Sequence, residues 1–124
     1  MATGDNKVFD IKERTFLFAK EVIFFVKTVK IERVFMSLFD QLVRSATSVG
    51  ANVAEGKSGS SRNDFLKFHI IALKSANEAT YWLSLIKDTL EVQEKKVDEL
   101  IEEMEEITKI LATIILKNKA ASTL

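Results

Sequence analysis

The sequence predicts an all-α protein, an antiparallel up-down-up-down four-helix bundle, and three observations lead there. Its 124 residues contain no proline and only four glycines, so few points force a helix to end. Apolar residues recur at three- and four-residue steps over four long stretches instead of alternating as in a strand. The segments between these stretches are short, which folds each helix back on its predecessor.

The first helix is expected over about residues 11–29, where Phe16, Leu17, Ala19, Ile23, Phe24 and Val26 recur at helical steps and form an amphipathic stripe. Lys30-Ile31-Glu32-Arg33 then serves as the connection. The second helix, about residues 34–57, has a regular seam in Phe35, Phe39, Leu42, Ala46, Val49 and Val53, which step as heptad a and d positions. Its second half, Ser45 to Ala54, is almost entirely small residues. Such a stretch lets a neighbouring backbone approach closely, yet propagates a helix poorly by itself, so tertiary or subunit contacts must hold it.

Lys57-Ser58-Gly59-Ser60-Ser61 reads as a loop, and Ser61 with Asp64 resembles a capping box that opens the third helix, about residues 62–90. Phe65, Phe68, Ala72, Ser75, Ala79, Trp82 and Ile86 form its core stripe, with Leu66, Ile70, Leu73 and Leu83 beside it. A helix apolar on more than one side is expected to be covered by more than its own bundle. The fourth helix, about residues 96–121, repeats the heptad pattern through Val97, Leu100, Met104, Ile107, Leu111 and Ile114, widened by Ile101, Ile110 and Ile115. One domain accounts for residues 1–124.

Composition narrows the chemistry. Without cysteine there is no disulfide framework, thiolate zinc site or thiol nucleophile, and one histidine cannot build a multi-histidine metal centre. Gly50, Gly56 and Gly59 fit no phosphate-binding loop. His69 is expected to pack or make a polar contact and not to transfer protons. Glu102, Glu103, Glu105 and Glu106 suggest a carboxylate di-metal bundle, but that chemistry needs Glu-x-x-His pairs, which the chain lacks, so they read as a solvated acidic face. The expectation is a non-enzymatic protein with no cofactor or metal. The N-terminus lacks the basic start and apolar core of a signal peptide, and the run Val22 to Val26 is far shorter than a membrane span. A location in the cytoplasm, away from membranes, is therefore expected.

Polar residues at seam positions are informative. Asn52, Glu55, Ser75 and Glu78 occupy positions expected to be partly buried, and an unpaired carboxylate there costs several kcal/mol. Antiparallel pairing about the 58–61 loop places Gln41 and Arg44 opposite Ser75 and Glu78, which predicts an Arg44 to Glu78 ion pair fixing the register.

The run Asp40 to Gly56 contains Gln41-Leu42-x-Arg44-Ser45-Ala46, Ser48, and Asn52-Val53-Ala54-Glu55-Gly56; Phe65-x-x-Phe68 and Ala72-x-x-Ser75-x-x-Glu78 follow. Over about residues 16–90 this pattern resembles the small four-helix-bundle proteins encoded within intervening sequences of bacterial 23S ribosomal RNA genes. That resemblance implies a non-enzymatic, left-handed bundle assembled as a homopentamer. The related accessory proteins of diversity-generating retroelements are similar in fold and pentameric, and bind nucleic acid and a reverse transcriptase through basic surface residues. The family pattern usually has proline in place of Gly50 and glycine in place of Lys74. On these grounds Gln41, Arg44, Ser48, Ala51, Asn52, Glu55, Gly56, Phe65, Phe68, Ser75 and Glu78 are candidates for structural or subunit contacts, and Arg44, Lys57, Arg62, Lys67 and Lys74 for nucleic-acid contacts. Expected partners are copies of the same chain, RNA or DNA, or a protein served by an adaptor.

Equal totals of 18 basic and 18 acidic residues give no overall attraction to nucleic acid or an anionic membrane. The balance conceals a division, however. Residues 91–106 contain Glu91, Glu94, Asp98, Glu99, Glu102, Glu103, Glu105 and Glu106 against Lys95 and Lys96, a net charge of −6, leaving +6 elsewhere. Any nucleic-acid surface should therefore avoid the start of the fourth helix.

Overall fold

The structure, a computed structural model, describes residues 10–59 and 61–122. Helix α1 spans Ile11–Thr28 and begins where the Asp10 carboxylate accepts the Glu13 backbone N–H at 3.1 Å. A 3₁₀ turn, Arg33–Phe35, leads into α2, Met36–Ser58. Helix α3 spans Arg62–Thr89, with the Ser61 hydroxyl accepting the Asp64 N–H at 3.1 Å as the capping pattern predicts. Helix α4, Glu94–Ser122, begins two residues earlier than its periodicity suggests. Ser60 of the expected loop and the N-terminal residues lie outside the described residues.

The helices pack in chain order around the bundle, and α4 closes it against α1. Opposed numbering shows α1 and α4 to be antiparallel, since Arg14 meets Glu103 while Glu21 meets Lys96. Helices α2 and α3 run antiparallel by the same criterion, with Ser48 against Ser75 and Gly56 against His69.

The core follows the predicted seams of α2 and α4: Phe39, Leu42, Ala46, Val49 and Val53 are buried, as are Val97, Leu100, Met104, Ile107 and Leu111. Ile115 completes the α4 seam, and Ile114 packs at its edge. On α3 the buried face is rotated toward His69, Ala72, Ser75, Ala76, Ala79, Leu83 and Ile86, leaving Phe65, Phe68 and Trp82 half-buried.

Helix α1 departs most from expectation. Its buried face is Ile11, Thr15, Phe18, Val22 and Phe25, whereas Phe16, Leu17, Ile23 and Phe24 are 62%, 47%, 40% and 50% exposed. Apolar residues occupy both sides of α1, so periodicity alone does not select the inner one. Contact with α2 selects it: a methyl group on Gly50 would lie 3.2 Å from Thr15 Oγ1 and 3.3 Å from its backbone carbonyl. The Thr15 hydroxyl is satisfied by the Lys12 carbonyl at 3.0 Å, which makes its burial inexpensive.

The expected Arg44 to Glu78 pair does not form. Arg44 Nε binds Asp40 Oδ2 at 3.0 Å one turn earlier on its own helix, and Glu78 Oε2 accepts the Trp82 indole N–H at 3.2 Å. Ser75 faces Ser48 instead of Arg44, a register displaced by one helical turn. Close packing of Gly56 on the His69 ring sets that register, because a helix contact at a glycine fixes which residues meet along the rest of the interface. Glu55 and Glu78 are consequently exposed, and of the four seam polars only Asn52 and Ser75 are covered.

Candidate nucleic-acid interface

All five cations singled out from the sequence, Arg44, Lys57, Arg62, Lys67 and Lys74, are exposed. The fold does not gather them into one patch. Lys57 ends α2, and Arg62 and Lys67 open α3, so these three share one end of the bundle. Arg44 stands about 20 Å farther along α2, and Lys74 about 10 Å beyond Lys67. Arg44 is also neutralised by Asp40, although an exposed pair of this kind is weak. Among the described residues no ion pair engages Lys57, Arg62, Lys67 or Lys74. The Lys67 ammonium instead lies 4.9 Å from the Phe68 ring centroid, a cation–π contact that leaves the charge available.

Helix α4 adds cations that the sequence reading did not single out. Its first half is acidic, but residues 107–122 contain Lys109, Lys117 and Lys119 and no acid. The Lys87 to Asp98 contact at 2.6 Å fixes antiparallel α3 and α4 in register, which brings Lys117 and Lys119 level with the start of α3. Both lysines are exposed. One end of the bundle thus presents Lys57, Arg62, Lys67, Lys117 and Lys119, and the opposite end presents the acidic start of α4. The signal was present in the sequence as a helix changing charge sign halfway along; only packing shows which other cations it joins.

Below this corner the α2–α3 interface is tightly built. His69 is fully buried, its Nδ1 is 2.8 Å from the Phe65 carbonyl, and its ring stacks on Phe65 with centroids 4.0 Å apart. The carbonyl accepts only, so Nδ1 carries the proton and Nε2, which has no hydrogen-bond partner among the described residues, presents a bare lone pair. Burial holds the imidazole below its ordinary pKa; the Lys57 charge adds to this and the Phe65 hydrogen bond opposes it. Farther along the interface, Asn52 Nδ2 donates to the Ser48 carbonyl at 2.8 Å and to Ser48 Oγ at 3.0 Å, and Ser48 Oγ lies 2.8 Å from Ser75 Oγ. Ser48, Asn52, Gly56, Phe65, Phe68 and Ser75 therefore serve contacts within the chain, while Gln41, Ala51, Glu55 and Glu78 face outward.

The acidic half of α4 is not a uniformly solvated face. Arg14, with a side chain only 13% exposed, donates from Nε to Glu103 at 2.7 Å and from its terminal nitrogen to Glu103 at 2.9 Å and Glu106 at 3.1 Å. These hydrogen bonds hold the guanidinium pKa above its ordinary value. Lys96 similarly pairs with Glu21. Among the described residues no group of three or more acidic or histidine side chains is arranged to hold a metal ion, and no helix is long and apolar enough to cross a membrane.

On the opposite side, an apolar groove of about 720 Å³ lies between α1 and α2, lined by Phe16, Ala19, Ile23, Thr47, Gly50 and Ala51, with Ala54 at one end. Two glycines of α2 thus serve two neighbours: Gly56 admits His69 of α3, and Gly50 admits Thr15 of α1. Ala51 remains exposed between them.

Comparison with known proteins agrees with this architecture. No functionally curated protein matches the chain. A crystal structure of a protein of unknown function from the S23 ribosomal protein family of Bacteroides thetaiotaomicron VPI-5482 is 34% identical, with a TM-score of 0.79 over 88% of this chain and 97% of that one. The family model for the 23S rRNA-intervening sequence protein matches residues 7–113. The chain is a member of the 23S rRNA-intervening sequence protein family.

Proposed function

We propose that the protein is a non-enzymatic, self-associating four-helix bundle that binds nucleic acid, with ribosomal RNA as the substrate suggested by the family description. The supporting observation is the cationic end formed by Lys57, Arg62, Lys67, Lys117 and Lys119, opposite the acidic start of α4. Glu55 and Asp64 share that end, but among the described residues no ion pair engages these five cations, which leaves them open to phosphates, and each neutralised phosphate releases condensed counterions. A neutral protein binds nucleic acid only with such segregation.

Self-association rests on a separate feature. Phe16, Ile23, Ala51 and the groove between α1 and α2 form an apolar surface that no other described residue covers. A second copy is the expected occupant, and the family resemblance suggests a pentamer. Non-catalytic status is supported by His69, whose sole imidazole is sealed under Gly56 and cannot reach a substrate.

The test is a binding titration with structured RNA at about 50 mM salt and again at about 200 mM. Affinity should fall steeply between the two. Reversing Lys57, Arg62 and Lys67 to Glu should weaken binding and flatten the salt dependence, while reversing Lys30 and Arg33 at the other end should do neither. Absence of binding at the lower salt refutes the nucleic-acid reading and favours a protein-partner adaptor.

A further inference from the structure

Lys67, Lys74 and Tyr81 stand seven residues apart on α3. Seven residues are almost two helical turns, so all three project from one face at intervals of about 10 Å. All are exposed, and Tyr81 at 59% is among the most exposed aromatic side chains of the described chain. Its ring is positioned all the same: it meets the Trp82 ring edge-on, with centroids 5.0 Å apart and planes at 77°. Trp82 is half-buried and anchored through its indole N–H to Glu78. Carboxylates also border the row, Glu78 beside Lys74, Asp64 three residues before Lys67 and Asp88 seven after Tyr81, which confines the stretch open to phosphates to Lys67 and Lys74. Beyond that edge contact with Trp82, no ring or hydrogen-bond partner among the described residues engages the exposed Tyr81 ring, which stands at the end of a row of cations starting from the basic corner.

We infer that this row is a track for single-stranded nucleic acid, with Lys67 and Lys74 meeting the phosphates and Tyr81 stacking on an unpaired base. The inference rests on the nucleic-acid reading above and narrows its substrate. A duplex offers phosphates but encloses its base faces, so only an unpaired segment can use both the lysines and the ring. Selectivity for base identity is not expected, because every base has a π face.

The test compares an oligouridine strand with an RNA duplex of equal length at low salt, on the whole protein, by fluorescence anisotropy and by emission of Trp82, the sole tryptophan. The single strand should bind more tightly and alter Trp82 emission, while the duplex leaves emission unchanged. Tyr81→Ala should weaken single-strand binding about tenfold with duplex binding unaltered, and Tyr81→Phe, which keeps the ring, should restore it. Lys74→Ala should reduce the salt slope for the single strand. Failure of both nucleic acids to bind defeats the parent reading. Equal binding of both, unmoved by Tyr81→Ala and without a Trp82 response, overturns this inference alone, as does a loss in Tyr81→Phe equal to that in Tyr81→Ala. Circular dichroism separates these results from misfolding; if Tyr81→Ala unfolds, the Trp82 response of the wild type decides, and its absence overturns the track.

Discussion

Gly56→Ala is the sharpest probe of how α2 and α3 meet. Alanine favours a helix interior over glycine by about 1 kcal/mol, so without tertiary constraint the change would stabilise α2. Its methyl group, however, would lie 2.7 Å from His69 Nδ1, 2.8 Å from Cε1 and 3.3 Å from Phe68 Cβ. The His69 ring cannot move away freely, being fully buried, stacked on Phe65 and bonded to the Phe65 carbonyl. Overpacking of this severity costs about 3 kcal/mol, the upper end of the usual range, leaving a net destabilisation of about 2 kcal/mol after the helical gain. In a domain of this size that lowers Tm by about 8 °C. The assay is urea unfolding followed by Trp82 emission and circular dichroism at one protein concentration, in wild-type, Gly56→Ala, His69→Ala and double-variant proteins. Removing the imidazole empties the space the new methyl needs, so Gly56→Ala should be stabilising by up to about 1 kcal/mol in the His69→Ala background. A stabilising Gly56→Ala in wild type, or no sign change between backgrounds, refutes the packing and with it the register.

Further expectations follow from the same geometry. The folded imidazole of His69 has its pKa lowered mainly by burial, so below about 6.5 the unfolded chain binds the proton more readily and stability falls with falling pH until the folded group is protonated too. The urea midpoint should drop between about pH 7.5 and about pH 5.5 and change less in His69→Leu; equal slopes in the two proteins would contradict the assignment. Arg14→Ala removes the paired hydrogen bonds to Glu103 and the contact with Glu106 and should cost about 2 kcal/mol in thermal unfolding, with Arg14→Lys recovering only part because an ammonium lacks the guanidinium fork. Ala51→Trp alters an exposed position, so it should leave the bundle within about 0.5 kcal/mol of wild type while lowering the mass seen by light scattering. A monomeric wild type removes the self-association reading.

The legibility of the chain differs from helix to helix. The α2 and α4 seams could be read because each has one apolar stripe, and a period of 3.5 residues points it in one direction. The Ser61 cap was equally legible, since it depends only on neighbours along the chain. Helix α1 was not, because Phe16 and Phe18 are equally apolar and lie on different faces; contact of Gly50 with Thr15 chose between them. Arg14 carries no local signal, because its partners lie 89 and 92 residues away, beyond any spacing rule. Of the candidate cations, Lys57, Arg62 and Lys67 are brought together, Arg44 and Lys74 lie apart, and Lys117 and Lys119 joined only through the α3–α4 register.

The helical class, the approximate helix spans, the family and the separation of charge along α4 are all readable from the chain alone, because each follows from patterns within a few turns or from a long contiguous motif. Tertiary structure alone decided which side of α1 is buried, which residues of α2 and α3 oppose one another, and which cations share an end of the bundle. The first two depend on how closely two backbones can approach at Gly50 and Gly56, and the third on the α3–α4 register marked by Lys87 and Asp98, conditions set by residues remote in sequence and invisible to the period of either helix.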